Sequence, residues 1–128
     1  MRREAARLAD YLDHIIQAID RIQRYVSQLD ENSFLRNELI QDAVIRNLEV
    51  IGEASRNIET RFPEFAAAHS ELPLAFAYQM RNAVSHGYFK VDMSSVWRTV
   101  HGDLLGFKEA ILAAARYLPS NSGVNPTD

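Results

Sequence analysis

The stretch LADYLDHIIQAIDRIQRYVSQL, residues 8–29, carries apolar side chains at Leu8, Leu12, Ile15, Ile19, Ile22, Val26 and Leu29. The spacings alternate between four and three. That rhythm places one apolar seam down a helix, in the manner of a heptad. Neither Gly nor Pro interrupts it. Asp30-Glu31-Asn32-Ser33 then breaks the pattern, and Ser33 is a candidate cap for a following turn.

Beyond this break a second long helix is expected from about Glu38 to about Thr60, with Ile40, Val44, Leu48, Ile51 and Ile58 on its inner face. Gly52 lies inside it, where glycine costs about 1 kcal/mol relative to alanine. Such a residue fits either close approach of another helix or ligand, or plain tolerance. Pro63 ends the segment. Ala66-Ala67-Ala68 allows a short helix, and Pro73 is suited to the first position of the next one. That helix carries Phe76, Met80 and Val84 and should fade near His86-Gly87. A last helix opens at Asp92 and runs to about Tyr117, with Trp97, Val100, Leu104, Phe107, Ile111, Ala115 and Leu118 as its seam. Gly102 and Gly106 share one face of it and leave room for a near neighbour. No segment alternates as a strand with hairpin turns. The expected fold is all-α: an up-down helical bundle of three long helices plus one or two short ones. It forms a single domain over residues 1–118, with a loose polar tail at 119–128.

The composition, 47% hydrophobic and 24% charged, is that of a globular chain. The absence of cysteine removes a disulfide framework and a thiol nucleophile, and fits a reducing compartment. The charged residues near the N-terminus break up any signal-like apolar run, and no run approaches the ~20 residues of a membrane span. A soluble, cytoplasmic protein is expected. A formal charge of −3 argues against a basic nucleic-acid coat. The distribution is uneven: Asp30–Glu71 holds nine acids against four Arg, whereas Leu72–Gly102 holds one acid, Asp92, against Arg81, Lys90 and Arg98, with His86 and His101 in addition. A locally basic segment in an acidic chain suits a confined anion site, although uneven surface charge gives the same pattern.

That basic segment contains Met80-Arg81-Asn82-Ala83-Val84-Ser85-His86-Gly87-Tyr88-Phe89. On a regular helix Arg81 and His86 stand about 140° apart. A helix that ends or tightens at His86 lets the imidazole turn back toward the guanidinium. Arg offers fixed donors to a phosphate at constant charge. His moves a proton near neutral pH. Together they suffice for transesterification of RNA, with the ribose 2′-OH as nucleophile, His as proton carrier and Arg stabilising the charged transition state. The plainer alternatives are a histidine placed for the helix dipole and an arginine in a surface ion pair.

The same stretch matches the R-x4-H-x-Y pattern: Arg81, four residues, His86, one residue, Tyr88. Arg46-Asn47-Leu48-Glu49-Val50-Ile51-Gly52-Glu53-Ala54, then Phe62-Pro63-Glu64, then Val91-Asp92 with Val96-Trp97 follow in a recognisable order. With this set, from about Leu8 to Leu118, the chain resembles the HepT-like HEPN ribonuclease toxins. The resemblance implies an HEPN-like bundle that forms a homodimer, with two Arg/His motifs meeting in one cleft, and endoribonuclease activity on RNA without a metal. It implies a type VII-like toxin–antitoxin pair whose partner is a minimal nucleotidyltransferase antitoxin of the MntA type. That partner uses ATP to transfer AMP to the motif tyrosine, here Tyr88; the chain itself needs no cofactor. AMP would bring charge and bulk where an RNA phosphate must sit. Catalysis falls to Arg81 and His86, with Asn82, Arg46, Asn47 and Glu53 as supporting cleft residues. Without the resemblance, Arg46, Glu49, Glu53 and Arg56 read as i,i+3 pairs of opposite charge, and Tyr88 reads as a core aromatic with its hydroxyl at the surface.

His14, His69 and His101 belong to no paired-ligand pattern, so no metal site is expected. A phosphate-cradling Gly-rich loop and a Gly-Ser nucleotidyltransferase motif are both missing, which makes the chain a recipient of AMP rather than its donor. A reading of a different class is a non-catalytic HEPN module that binds nucleotide or RNA, or an adaptor for a nucleotidyltransferase. The intact Arg81/His86/Tyr88 set favours the enzyme.

Overall fold

A computed structural model describes residues 2–85, 92–116 and 118. Among these the secondary structure is helical throughout. The helix α1, Arg2–Val26, carries the apolar seam. Leu8, Leu12, Ile15, Ile19, Ile22 and Val26 are buried, and Leu29, just past the helix end, packs half-buried against the same core. Each such side chain, fully buried, contributes about 1.5–3 kcal/mol, so this seam alone ties α1 to the rest of the molecule.

The expected break after α1 holds a short helix of its own, α2, Glu31–Leu35. Its cap is Asp30 rather than Ser33. The Asp30 carboxylate accepts from the Ser33 backbone N–H at 2.8 Å, and Ser33 Oγ accepts from the Asp30 N–H at 3.0 Å. This is a reciprocal capping box. The bond from the Ser33 backbone, then the one from its hydroxyl, hold the Asp30 carboxyl below its usual range. Phe34 of α2 is fully buried, and its ring lies 5.2 Å from that of Trp97.

Helix α3, Glu38–Arg61, is capped by Asn37, whose side chain accepts from the Ile40 N–H at 3.0 Å. Val44, Leu48, Ile51 and Ile58 are buried and Ile40 packs half-buried against the core, as the periodicity predicts. Phe62 closes α3 and also opens α4, Pro63–Ala68, so Pro63 starts a helix as well as ending one. Helix α5, Leu74–Ser85, follows Pro73 directly.

The last expected helix is divided. The N-cap of α6, Met93–Gly102, is Asp92, as expected. Then α7, Leu104–Ala115, begins after a break at Asp103. Gly102 and Asp103 are two weak helix formers in succession, while the seam Val100, Leu104, Phe107 and Ile111 stays buried across the break. Among the described residues α1 and α3 are the long helices, and the third arm is made of α6 and α7 in succession. Gly102 and Gly106 are exposed, and a Cβ on either would meet nothing within 4 Å, so packing within this chain does not require them to be glycine.

Pairwise contacts set the topology. Tyr11 meets Phe62 edge-on at 6.3 Å, and Arg21 bonds Asn47 at 3.2 Å, so α1 and α3 run antiparallel. Gln23 Nε2 donates to Val100 O, and Lys108 Nζ donates to Asp20 at 2.7 Å, so the α6–α7 arm also runs against α1. Helix α5 lies along α3. The result is the up-down bundle expected, with its last arm in two pieces. The 119–128 tail lies outside the described residues. No helix among the described residues is long and apolar enough to cross a membrane.

Candidate active site

Arg81 lies one turn before the last described residues of α5, Leu74–Ser85. The expected helix stop at His86-Gly87 lies outside the described residues. Leu74 and Ala77 are buried and Met80 half-buried, so α5 turns its apolar side to the core and carries Arg81 and Asn82 along the seam beside α3. Arg81 is half-buried, and its Nη1 donates to Asn82 Oδ1 at 3.0 Å. His86 and Tyr88 lie outside the described residues.

The close approach that Gly52 allows is to this same turn. A Cβ built on Gly52 would stand 2.1 Å from Arg81 Cβ, 2.8 Å from the Ala77 carbonyl oxygen and 2.9 Å from Arg81 Cγ. Any larger side chain would have to push the α5 backbone away. The glycine is therefore a packing requirement, and the residue it admits is the motif arginine. Glu49, Gly52 and Arg56 share one stripe of α3 at helical spacing. Arg56 stacks over the Tyr78 ring of α5 with its guanidinium carbon 4.5 Å from the centroid. Glu49 also has the exposed Arg46 within 3.9 Å, a loose i,i+3 pair. Glu53 is exposed.

Asn47 stands apart from this stripe. It is buried, accepts from Arg21 Nη1 at 3.2 Å and donates to the Ala43 carbonyl at 2.9 Å. Its bonds hold α3 to α1, not to α5. With Arg46 it lines a groove of about 410 Å³ whose other walls are His14, Gln17, Arg21, Tyr25 and Val50. The sequence reading had not singled out Arg21 or Tyr25. Their only sequence signal is a polar stripe at 14, 17, 21 and 25 beside the apolar seam, and nothing in one sequence pairs that stripe with Arg46. No group of three or more His, Asp, Glu or Cys side chains among the described residues is placed to hold a metal ion.

The family description "Ribonuclease HepT-like" matches residues 15–114. The chain belongs to the HepT-like HEPN ribonuclease family. A Thermococcus cleftensis protein named "Probable ribonuclease HepT" is 39% identical over 99 residues, covering 77% of this chain and 87% of that protein. A Methanocaldococcus jannaschii protein named "Gamma-glutamylcyclotransferase and putative RNase" is 35% identical over 111 residues. The match takes in 87% of this chain and 49% of that protein, so the chain spans about half of that relative. A second protein of the same organism, named "Putative RNase", is 33% identical over 101 residues, covering 79% of this chain and 90% of that protein. No solved structure matches the chain. The matched region of this HepT-like chain includes α3 with Gly52, α5 with Arg81, and the segment between α5 and α6 that carries His86 and Tyr88.

Proposed function

We propose that this HepT-like protein is an endoribonuclease toxin that cleaves RNA by metal-independent transesterification, with Arg81 and His86 as its catalytic pair. The observation that carries the reading is the packing of Arg81 over Gly52. That contact seats the Cβ and Cγ of the motif arginine against α3, five residues before the motif histidine. In the proposed reaction the ribose 2′ oxygen attacks the adjacent phosphorus while His86 takes its proton. The bond from phosphorus to the 5′ oxygen breaks, and that oxygen receives a proton. The products are a 2′,3′-cyclic phosphate and a 5′-hydroxyl. Arg81 stabilises the charge that builds on the phosphoryl oxygens. Two chains related by a two-fold axis would bring both pairs to one cleft, where Asn82 supports Arg81 and Glu53 stands on the open side of α3.

The partner in this reading is a minimal nucleotidyltransferase antitoxin. The Tyr88 hydroxyl attacks the α-phosphorus of ATP in the partner's site, pyrophosphate leaves, and AMP remains on the toxin. The added phosphate repels the RNA backbone and occupies Arg81. Tyr11 and Tyr78 are poorer acceptors: the Tyr11 ring packs against Phe62 and the Tyr78 ring lies beneath Arg56. Incubation with the cognate nucleotidyltransferase and ATP should add the mass of one AMP and abolish RNA cleavage, and Tyr88→Phe should block the addition. Attachment at Tyr11, Tyr25, Tyr78 or Tyr117, or undiminished cleavage by the modified protein, would overturn this part of the reading.

A further inference from the structure

The groove between α1 and α3 is built differently from the rest of this acidic surface. Its lining combines Arg21, Arg46, His14, Tyr25, Gln17, Asn47 and Val50, and none of these is an acid. The chain as a whole carries −3. A larger groove, of about 780 Å³ at Arg3, Arg7 and Arg61, includes Glu4 and Glu64 in its walls. Arg21 is moreover held in place. The buried Asn47 is fixed at both ends of its amide, donating to Ala43 O and accepting from Arg21 Nη1. A guanidinium has five N–H donors, so Asn47 orients the fork and leaves donors for a ligand. Arg46 stands on the rim with 73% of its side chain exposed and only a 3.9 Å approach to Glu49, too long for a hydrogen bond. A fixed inner Arg, an exposed outer Arg and a tyrosine suit a tetrahedral oxyanion.

We infer that this groove is a phosphate subsite for single-stranded RNA, separate from the Arg81 centre, that takes a backbone phosphodiester away from the scissile one. The inference rests on the ribonuclease reading for the identity of the ligand. The two places are joined by α3 itself: Gly52 seats Arg81 on one side of the helix, and Asn47 seats Arg21 on another. A strand lying across the exposed side of α3 would contact both. Arg46 and Asn47, which the motif alone assigns to the catalytic cleft, then act in holding the strand rather than at the reacting phosphorus.

The test uses a fluorescent 2′-O-methylated single-stranded oligonucleotide, which binds but lacks the nucleophile. Its affinity is measured by anisotropy at several salt concentrations for wild type, Arg21→Gln, Arg46→Gln and Arg116→Gln. The last removes an equal charge from an exposed residue outside the groove. Arg46→Gln should weaken binding about tenfold at low salt and reduce the slope of log K against log salt by about 0.7, the share of one single-strand phosphate. Arg21→Gln should do at least as much. Because Arg21 also ties α1 to α3, its helicity is checked in parallel, and Arg46→Gln decides the matter if it unfolds. Unchanged slopes, an equal loss with Arg116→Gln, or a wild type that does not bind the oligonucleotide would each overturn the subsite. Wild type that binds with the expected slopes but never cleaves unmodified RNA would overturn the ribonuclease reading and leave the subsite standing.

Discussion

His86→Ala is expected to lower RNA cleavage by about 10³-fold or more and to end growth arrest on expression, while leaving the helical content unchanged. General acid–base catalysis by a positioned side chain contributes typically 10²–10⁴-fold. In the proposed reaction the imidazole takes the proton of the nucleophile. The helical fold is expected to survive, because the core is assembled from the seams of α1, α3, α5, α6 and α7. Helicity by circular dichroism and cleavage of a labelled RNA are measured on the same preparation. Equal cleavage by wild type and variant at matched concentration would remove His86 from the reaction. A variant that arrests growth without cutting RNA would favour a binding module over an enzyme.

Gly52→Ala should produce a far larger structural effect than the same change at Gly102 or Gly106, where a Cβ meets nothing within 4 Å. Alanine is intrinsically better in a helix by about 1 kcal/mol, and on an exposed face the change would stabilise. Here the new methyl would land 2.1 Å from Arg81 Cβ and 2.8 Å from the Ala77 carbonyl. Neither is the free end of a flexible side chain, so α5 itself has to shift. Overpacking of this kind costs about 1–3 kcal/mol and occasionally more. A net loss of about 2 kcal/mol corresponds to a fall in Tm of roughly 8 °C for a domain of this size. The shift also carries Arg81 away from its place, and a displacement of about 1 Å near the chemistry can cost about 10²-fold in rate. Stability and cleavage should thus fall together. A Gly52→Ala protein with unchanged or higher Tm and full activity would show that α5 has slack against α3, and that Arg81 is not positioned by this contact.

The prominence of Gly52 shows where the sequence is informative and where it stops. The α1 seam was legible because each of its apolar residues meets one face of one core; six of the seven are buried and Leu29 half-buried. The cap at Asp92 was legible by position, but that of α2 only by type: Asp30 and Ser33 both suit an N-cap, and the fold uses Asp30 and buries Phe34. The break at Asp103 was hidden because the apolar seam runs unbroken from Val100 through Leu104 to Phe107, and periodicity reports the face of a helix rather than its continuity. In the candidate site, Arg81 and Gly52 each attracted notice alone. Only the packing of α5 against α3 shows that one exists to admit the other. The same pairing information assigns Arg46 and Asn47 to a groove with α1, an arrangement that adjacency in a motif cannot convey.

The account stands or falls on the chemistry of the cut. A defined RNA is incubated with the purified wild-type protein in excess EDTA, and the new ends are identified by mass spectrometry. The account predicts cleavage that persists without divalent ions and leaves a 2′,3′-cyclic phosphate beside a 5′-hydroxyl, because the nucleophile is the ribose 2′ oxygen. A strict requirement for a divalent ion together with a 5′-phosphate product would contradict it.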